Sequence, residues 1–400
     1  MNAPLFSPEE IQFIQEHLND EPSKLMLQAR RYPHLPIAKL VQQIQARQKA
    51  QHKLPDWYAN ANLIFPANLS VEQCSSQVTA QFKASLIQGE SFADLTGGMG
   101  VDTAYLAQGF QKAFHFEQNQ ELQEIVAYNF EQLGLKHIAF VGGNSIEWLN
   151  AQAVAQTHFS WIYLDPHRRD EAGGKVFALS DCEPDVVKYQ DLLFQFSENI
   201  LIKASPMLDL DQSIRELKCI KQIWVISVDN EVKEVLFHLK SNYSEAPVIT
   251  CVALYKNQDT QTLSFYKEEE AQTAPSIGQP ARYLYEPNVA LLKAGAFKLP
   301  CSRYGLQKIA SHSHLYTSKV FQADFIGRSF EVLAVCKLDK KAIAPFISNN
   351  QANITIRNFP LTVKQIREKL KIQEGGNTYL FATTDAQGQK IVIVCQKVTS

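Results

Sequence analysis

Residues 91–102 read S-F-A-D-L-T-G-G-M-G-V-D: a short apolar run ending in Asp94, a turn holding Gly97, Gly98 and Gly100, and Asp102 where a helix begins. Glycines in a strand-to-helix turn permit positive φ and let the backbone approach a ligand closely. The dinucleotide fingerprint G-x-G-x-x-G fails here, because counting from Gly98 its third glycine position is occupied by Thr103.

Working outward, apolar runs at residues 92–95, 113–117, 138–141, 161–165, 200–203, 223–228 and 248–255 alternate with helical stretches. Seven strands with intervening helices predict one α/β domain, a doubly wound, Rossmann-like sheet whose ligand lies outside the carboxyl ends of the strands. The second strand, F-H-F-E, ends in Glu117, twenty residues after Gly97, from where a carboxylate accepts both hydroxyls of an adenosine ribose. The third ends in G-G-N, so that the Asn144 amide meets an adenine edge.

An acid before the glycines suits a ligand bearing an ammonium and a sulfonium better than a pyrophosphate. S-adenosyl-L-methionine is such a ligand. The candidate cofactor residues are Asp94, Thr96, Gly97, Gly98, Gly100, Asp102, Glu117 and Asn144, with Asp165 beside them.

The fourth strand, W-I-Y-L-D-P-H-R-R-D, ends in Asp165, Pro166, His167, Arg168 and Arg169. Methyl transfer from a sulfonium needs a nucleophile in line with the carbon–sulfur bond, and its rate comes chiefly from positioning. For an exocyclic base nitrogen, hydrogen bonds from its N–H groups to Asp165 and to a backbone carbonyl near Pro166 localise the lone pair. Arg168 and Arg169 are placed to clamp a phosphate, with internal pairing of Arg168 to Asp165, Asp170 or Glu171 as the alternative. Asp165, Pro166, Arg168 and Arg169 are thus the candidate catalytic residues, and His167 is read as structural. Further strand ends carry Lys203, Ser205, Asp209, Asn230 and Glu231, which either line the substrate side or serve ordinary turns.

The rest of the chain frames that domain. Its 400 residues, 45% hydrophobic and 20% charged, exclude a single small module and global disorder. Residues 7–53 have helical periodicity opened by a Ser7–Glu10 capping box, and a further helix is expected over 70–88. The boundaries read as 1–88 for the N-terminal helical region, 89–266 for the α/β domain, 281–327 for a small segment and 328–400 for an α+β tail, divided by the polar stretch 267–280. Net charge is −2, yet residues 331–400 carry ten Lys and Arg against five acids, a local basic surplus. Seven cysteines include no C-x-x-C pair, so no metal site is expected. The N-terminus has no basic segment before an apolar run, and no 18 apolar residues occur together, so a cytoplasmic protein with no membrane partner is expected.

Residues 90–235 resemble class I S-adenosylmethionine-dependent methyltransferases. More narrowly, the chain resembles a bacterial group with a ferredoxin-like segment followed by a THUMP-like C-terminal domain. The motifs are K-L-P-D-W at 53–57, E-Q-C-S-S-Q-V-T-A-Q-F-K-A at 72–84, D-L-T-G-G-M-G-V-D at 94–102, L-D-P-H-R-R at 164–169 and Y-E-P-N at 285–288. The resemblance implies cofactor contacts at Asp94, Gly97, Gly98, Gly100, Glu117 and Asn144, an active-site loop at 165–169, and structured RNA, ribosomal or transfer, as partner. Three departures stand out: Thr96 replaces the first glycine of the loop, Asn144 replaces an acid, and D-P-H-R replaces D-P-P-Y, which removes a stacking platform for a flipped base. The expected activity is N-methylation of an RNA base. A small-molecule or protein acceptor, and a non-catalytic RNA-binding protein with a relic cofactor fold, are the alternatives.

Overall fold

The computed structural model describes residues 6–66, 68–152, 157–168, 178–256 and 259–398, with the side chains of residues 68–70 and 168 outside the description. It divides into two compact units, residues 1–221 with 236–245, and residues 222–235 with 246–400.

In the first unit, β1 (Gly89–Asp94), β2 (Phe110–Glu117), β3 (Ile138–Gly142), β4 (Trp161–Leu164) and β5 (Asn199–Ala204) lie parallel in the order β5-β4-β1-β2-β3. The order reverses at β1, which is flanked by β2 and β4, so the carboxyl ends of these three strands open on one crevice. Parallel strands buried on both faces need continuous apolar runs, and Ile200, Leu201 and Ile202 of β5 are all fully buried. The intervening helices begin at side-chain caps: Asn119 accepts from the Leu122 N–H ahead of helix Gln120–Gln132, and Asp185 accepts from Lys188 ahead of helix Val186–Phe196.

The N-terminal region is helical, as its periodicity predicts, and the capping box is present: Ser7 Oγ accepts from the Glu10 N–H at 3.2 Å and Glu10 Oε2 from the Ser7 N–H at 2.6 Å. Phe13, Ile14, Leu25, Leu40, Val41 and Ile44 form its core. Helix Gln77–Ala84 comes next, carrying part of the 72–84 motif.

In the second unit, β6 (Ile220–Val228), β7 (Glu231–Lys240, whose last residues belong to the first unit), β8 (Val248–Leu254) and β9 (Gln261–Phe265) continue the α/β pattern, with β6 parallel to β8 and β8 antiparallel to β9. Among the described residues the large sheet has nine strands, two more than the seven apolar runs predict. The additional two are β7 and β9. β7 comes after a two-residue turn in which Asp229 and Asn230 both have positive φ, so the polar D-N-E that reads as a strand end is a hairpin. β9 alternates between partly buried and exposed residues, which weakens its apolar signal.

The second sheet comprises β10 (Tyr283–Pro287), β11 (Gln307–Lys308), β12 (Tyr316–Ser318), β13 (Gly327–Cys336), β14 (Asn353–Arg357), β15 (Thr378–Thr384) and β16 (Lys390–Lys397), in the order β11-β12-β10-β13-β16-β15-β14. β14 and β15 are parallel, and helix Val363–Leu370 provides the crossover that a parallel pair requires. β14 is silent in the sequence, because its five residues are all only partly buried. Ile366 and Leu370 pack on Leu380, Val392 and Val394, whereas Leu284, Phe330, Phe381 and Ile393 belong to a second apolar cluster.

Candidate active site

β1 delivers Asp94 to the crevice, but its side chain turns inward. It is 1% exposed, with Oδ2 accepting from Thr103 Oγ1 at 2.6 Å and Oδ1 from the Thr96 N–H at 3.0 Å. Burial pushes its carboxyl up to about pKa 7, against the hydrogen bonds from Thr103 and Thr96. Asp94 therefore braces the glycine turn from beneath, whereas the strand-end pattern sets it on the rim.

The three glycines have separate causes. A Cβ at Gly97 would lie 2.1 Å from the ring of His115, a fully buried side chain beneath the turn. A Cβ at Gly100, where φ is +80°, would meet Val126 at 2.7 Å. At Gly98, where φ is +52°, it would meet nothing nearer than the Thr96 carbonyl at 3.8 Å. Two glycines thus serve packing below the turn. Gly98 alone among the three faces open space, and a group lying on the turn would rest there.

Glu117, at the end of β2, closes that side. Its Oε2 accepts the Gly98 N–H at 2.9 Å and its Oε1 the Asn119 N–H at 2.7 Å. Each carboxylate oxygen has capacity for a second donor, so two hydroxyls can still be received. Asn144, after β3, accepts from the Ile146 and Glu147 N–H groups at 2.9 and 3.2 Å, which commits its Oδ1 to capping helix Ser145–Gln152 and leaves the amide NH2 as its available donor.

Asp102 does not face the crevice contacts expected of it. It lies in a buried network: Ser75 Oγ and Tyr163 OH each donate to Oδ2 at 2.7 Å, and Lys83 Nζ stands 3.1 Å from Oδ1. Lys83, fully buried, also donates to Ser75 at 2.9 Å. Burial raises the Asp102 pKa, but the ammoniums of Lys83 and Lys203 with the Tyr163 and Ser75 hydrogen bonds hold it below the usual carboxylate value. The 72–84 motif is thereby explained, since it supplies Ser75 and Lys83.

At the end of β4, the Asp165 N–H donates to Thr96 Oγ1 at 2.6 Å, and Asp165 Oδ2 pairs with Lys203 Nζ from β5 at 2.5 Å. Asp165 is 36% exposed, and among the described residues its Oδ1 takes no hydrogen bond. Pro166 is half-buried and His167 exposed, the latter pairing in a short ladder with Glu183. The Arg168 side chain and Arg169, with Asp170 and Glu171, lie outside the described residues. Of the further strand-end residues, Lys203 reaches the site. Ser205 and Asp209 serve a turn and a helix cap, Asn230 accepts the Val289 N–H at 3.1 Å, and Glu231 pairs with Lys233.

Sequence reasoning misses the bracing by Thr103, His115, Ser75, Lys83 and Tyr163. Among the described residues there is no group of three His, Cys, Asp or Glu able to hold a metal, and no helix is long and apolar enough to cross a membrane.

Residues 283–325 match a ferredoxin-like domain family and residues 327–397 a THUMP domain-like family. Among curated proteins, none matches the chain in sequence. The solved structure of a protein from Porphyromonas gingivalis W83 classed as a methyltransferase is 31% identical, covering 99% of this chain and 100% of that one with a TM-score of 0.87. An rRNA methylase from Streptococcus thermophilus (14% identity, 40% of this chain, 94% of that one) and a tRNA m1G37 methyltransferase from M. jannaschii (12%, 43% and 51%) each align with a TM-score of 0.30. With identity at that level over its whole length and both C-terminal families present, the chain belongs to the methyltransferase family of the Porphyromonas gingivalis protein, with a ferredoxin-like and a THUMP-like domain at its C-terminal end.

Proposed function

We propose that the protein is an S-adenosylmethionine-dependent methyltransferase that N-methylates a base in structured RNA. The observation that carries this reading is the hydrogen bond from the Asp165 N–H to Thr96 Oγ1, which joins the glycine turn to the loop bearing the acceptor carboxylate.

The residues present fit the cofactor. Gly98 leaves room above the turn, the Glu117 carboxylate stands against the Gly98 N–H where two ribose hydroxyls would be received, and the Asn144 amide is a donor for an adenine edge. When bound, the cofactor supplies a methyl group made electrophilic by the attached sulfonium.

The chain's part is positioning. Asp165 Oδ1 accepts an N–H of the target amine, while Lys203 on Oδ2 fixes the carboxylate plane and Thr96 fixes its backbone. The carbonyl at Pro166 is the second acceptor for that amine. RNA as substrate draws support from the basic surplus of residues 331–400 and from the THUMP domain-like match at 327–397.

Incubation of the full chain with labelled S-adenosylmethionine and total RNA tests the proposal. Label in RNA that is lost with Asp165→Ala is expected. Label appearing only in protein or small molecules would refute the RNA assignment.

A further inference from the structure

The Y-E-P-N motif at 285–288 holds a charged group remote in sequence from the crevice residues. Glu286, on β10, is 4% exposed at its side chain. It receives two guanidiniums: Arg328, from β13, donates through Nε at 2.8 Å and through Nη2 to Oε2, and Arg357, at the end of β14, donates from Nη2 to Oε1 at 3.1 Å. A single carboxylate neutralises one guanidinium, so this trio keeps a surplus positive charge that an anion reaching the open side of the guanidiniums would meet. Both arginines remain partly open to solvent, at 34% and 27% side-chain exposure, with further N–H groups in their planar forks.

Orphaned polar atoms lie on the same ground. Thr383 stands directly opposite Arg357 in the parallel β14–β15 register, hence on the same face of the sheet, and is fully buried with no hydrogen-bond partner for Oγ1 among the described residues. Arg357 Nε is buried without a partner too. A hydroxyl and guanidinium N–H groups left unsatisfied beside a positive surplus form a donor set for an oxyanion.

We infer that Arg328 and Arg357, oriented by Glu286 and joined by Thr383, form a binding site for a phosphate group. An RNA backbone and free phosphate share that chemistry, and the RNA source rests on the proposed function.

Two full-chain variants test the site. Thr383→Val removes a hydroxyl that bonds to nothing among the described residues, so a purely structural role predicts unchanged or higher thermal stability and unchanged binding. Arg328→Gln keeps Arg357 on Glu286. In fluorescence anisotropy with a labelled RNA stem-loop across a salt series, Arg328→Gln is expected to weaken binding about tenfold and to lower the slope of log affinity against log salt by roughly one, and Thr383→Val to weaken it about threefold. Calorimetric titration with inorganic phosphate alone is the second arm.

Weaker RNA binding in both folded variants assigns the site to the RNA backbone. Phosphate binding to the unaltered protein that both variants lose, with RNA binding unmoved, assigns it to free phosphate. Wild-type affinity and salt slope for RNA together with no variant-sensitive phosphate binding overturns the site while leaving the proposed function standing. Failure of the unaltered chain to bind RNA counts against the proposed function, and the phosphate arm still decides the site.

Discussion

The Thr96 hydroxyl accepts the backbone N–H of Asp165 at 2.6 Å, so the residue that opens the glycine turn fastens that turn to the loop after β4. A glycine there offers no such bond. A hydroxyl joins the two loops, and the proposed reaction is where its removal is expected to register.

Thr96→Val retains the shape and removes the acceptor. Loss of one such bond is worth about 1 kcal/mol, or roughly fivefold in rate. Single-turnover methyl transfer is expected to slow by that order with cofactor affinity nearly unchanged, and Thr96→Ser is expected to restore it. A parallel loss of cofactor affinity would show that the hydroxyl shapes the turn itself.

The glycines should separate by cause. Gly97→Ala drives a Cβ to 2.1 Å from the buried His115 ring and is expected to destabilise the fold by about 3 kcal/mol in denaturant titration. Gly98→Ala meets no such obstacle, and its positive φ costs about 1 kcal/mol. Gly98→Val is expected to remain folded and to abolish cofactor binding by equilibrium dialysis. Retained binding would move the cofactor off this turn.

Asp94 and His115, linked through Thr103 Oγ1, titrate in opposition. Burial raises the Asp94 pKa to about 7, so its contribution is present below the unfolded value near 4 and is lost as pH rises toward 7. Burial lowers the His115 pKa to about 3, so its contribution is present above the unfolded value near 6.5 and is lost as pH falls toward 3. Between about pH 4 and 6.5 the slopes cancel. Asp94→Asn removes one of them, and unfolding free energy, measured by urea titration, is expected to rise with pH across that window more steeply than in the unaltered protein.

Lys83 and Asp102 form a buried ion pair backed by Ser75 and Tyr163. Lys83→Met strands the carboxylate, and a loss of about 3–5 kcal/mol is expected. Lys83→Met combined with Asp102→Leu should recover much of it in the same urea titration. No recovery would mean that the hydrogen bonds to Asp102, and not its charge, hold the network.

Periodicity and strand ends account for what is legible in the sequence. β1 to β5 are apolar runs that stop at polar residues, and Asp94, Glu117, Asn144 and Asp165 stand at or just beyond those stops. The direction of a side chain is a separate matter, since period-two alternation cannot tell that Asp94 turns under the loop or that Asp102 turns toward Lys83. Ser75 and Tyr163 meet Asp102 across 27 and 61 residues, and no local spacing encodes such a contact. β7 is hidden by the polar Asp229–Asn230 turn and β9 by its exposed alternation. Lys203 reads from the sequence only as a strand-end cation, and its pairing with Asp165 depends on β4 and β5 being neighbours.

The buried lysine on helix Gln77–Ala84 makes the front of this chain inseparable from the parallel sheet behind it. Excising the leading helices would take away Lys83 and Ser75 together and open the Asp102 carboxylate, beside the glycine turn, to water with Tyr163 as its remaining hydrogen-bond donor. Residues 72–84 are thus a keystone of the parallel sheet, and grafting that sheet onto another leader requires carrying them along.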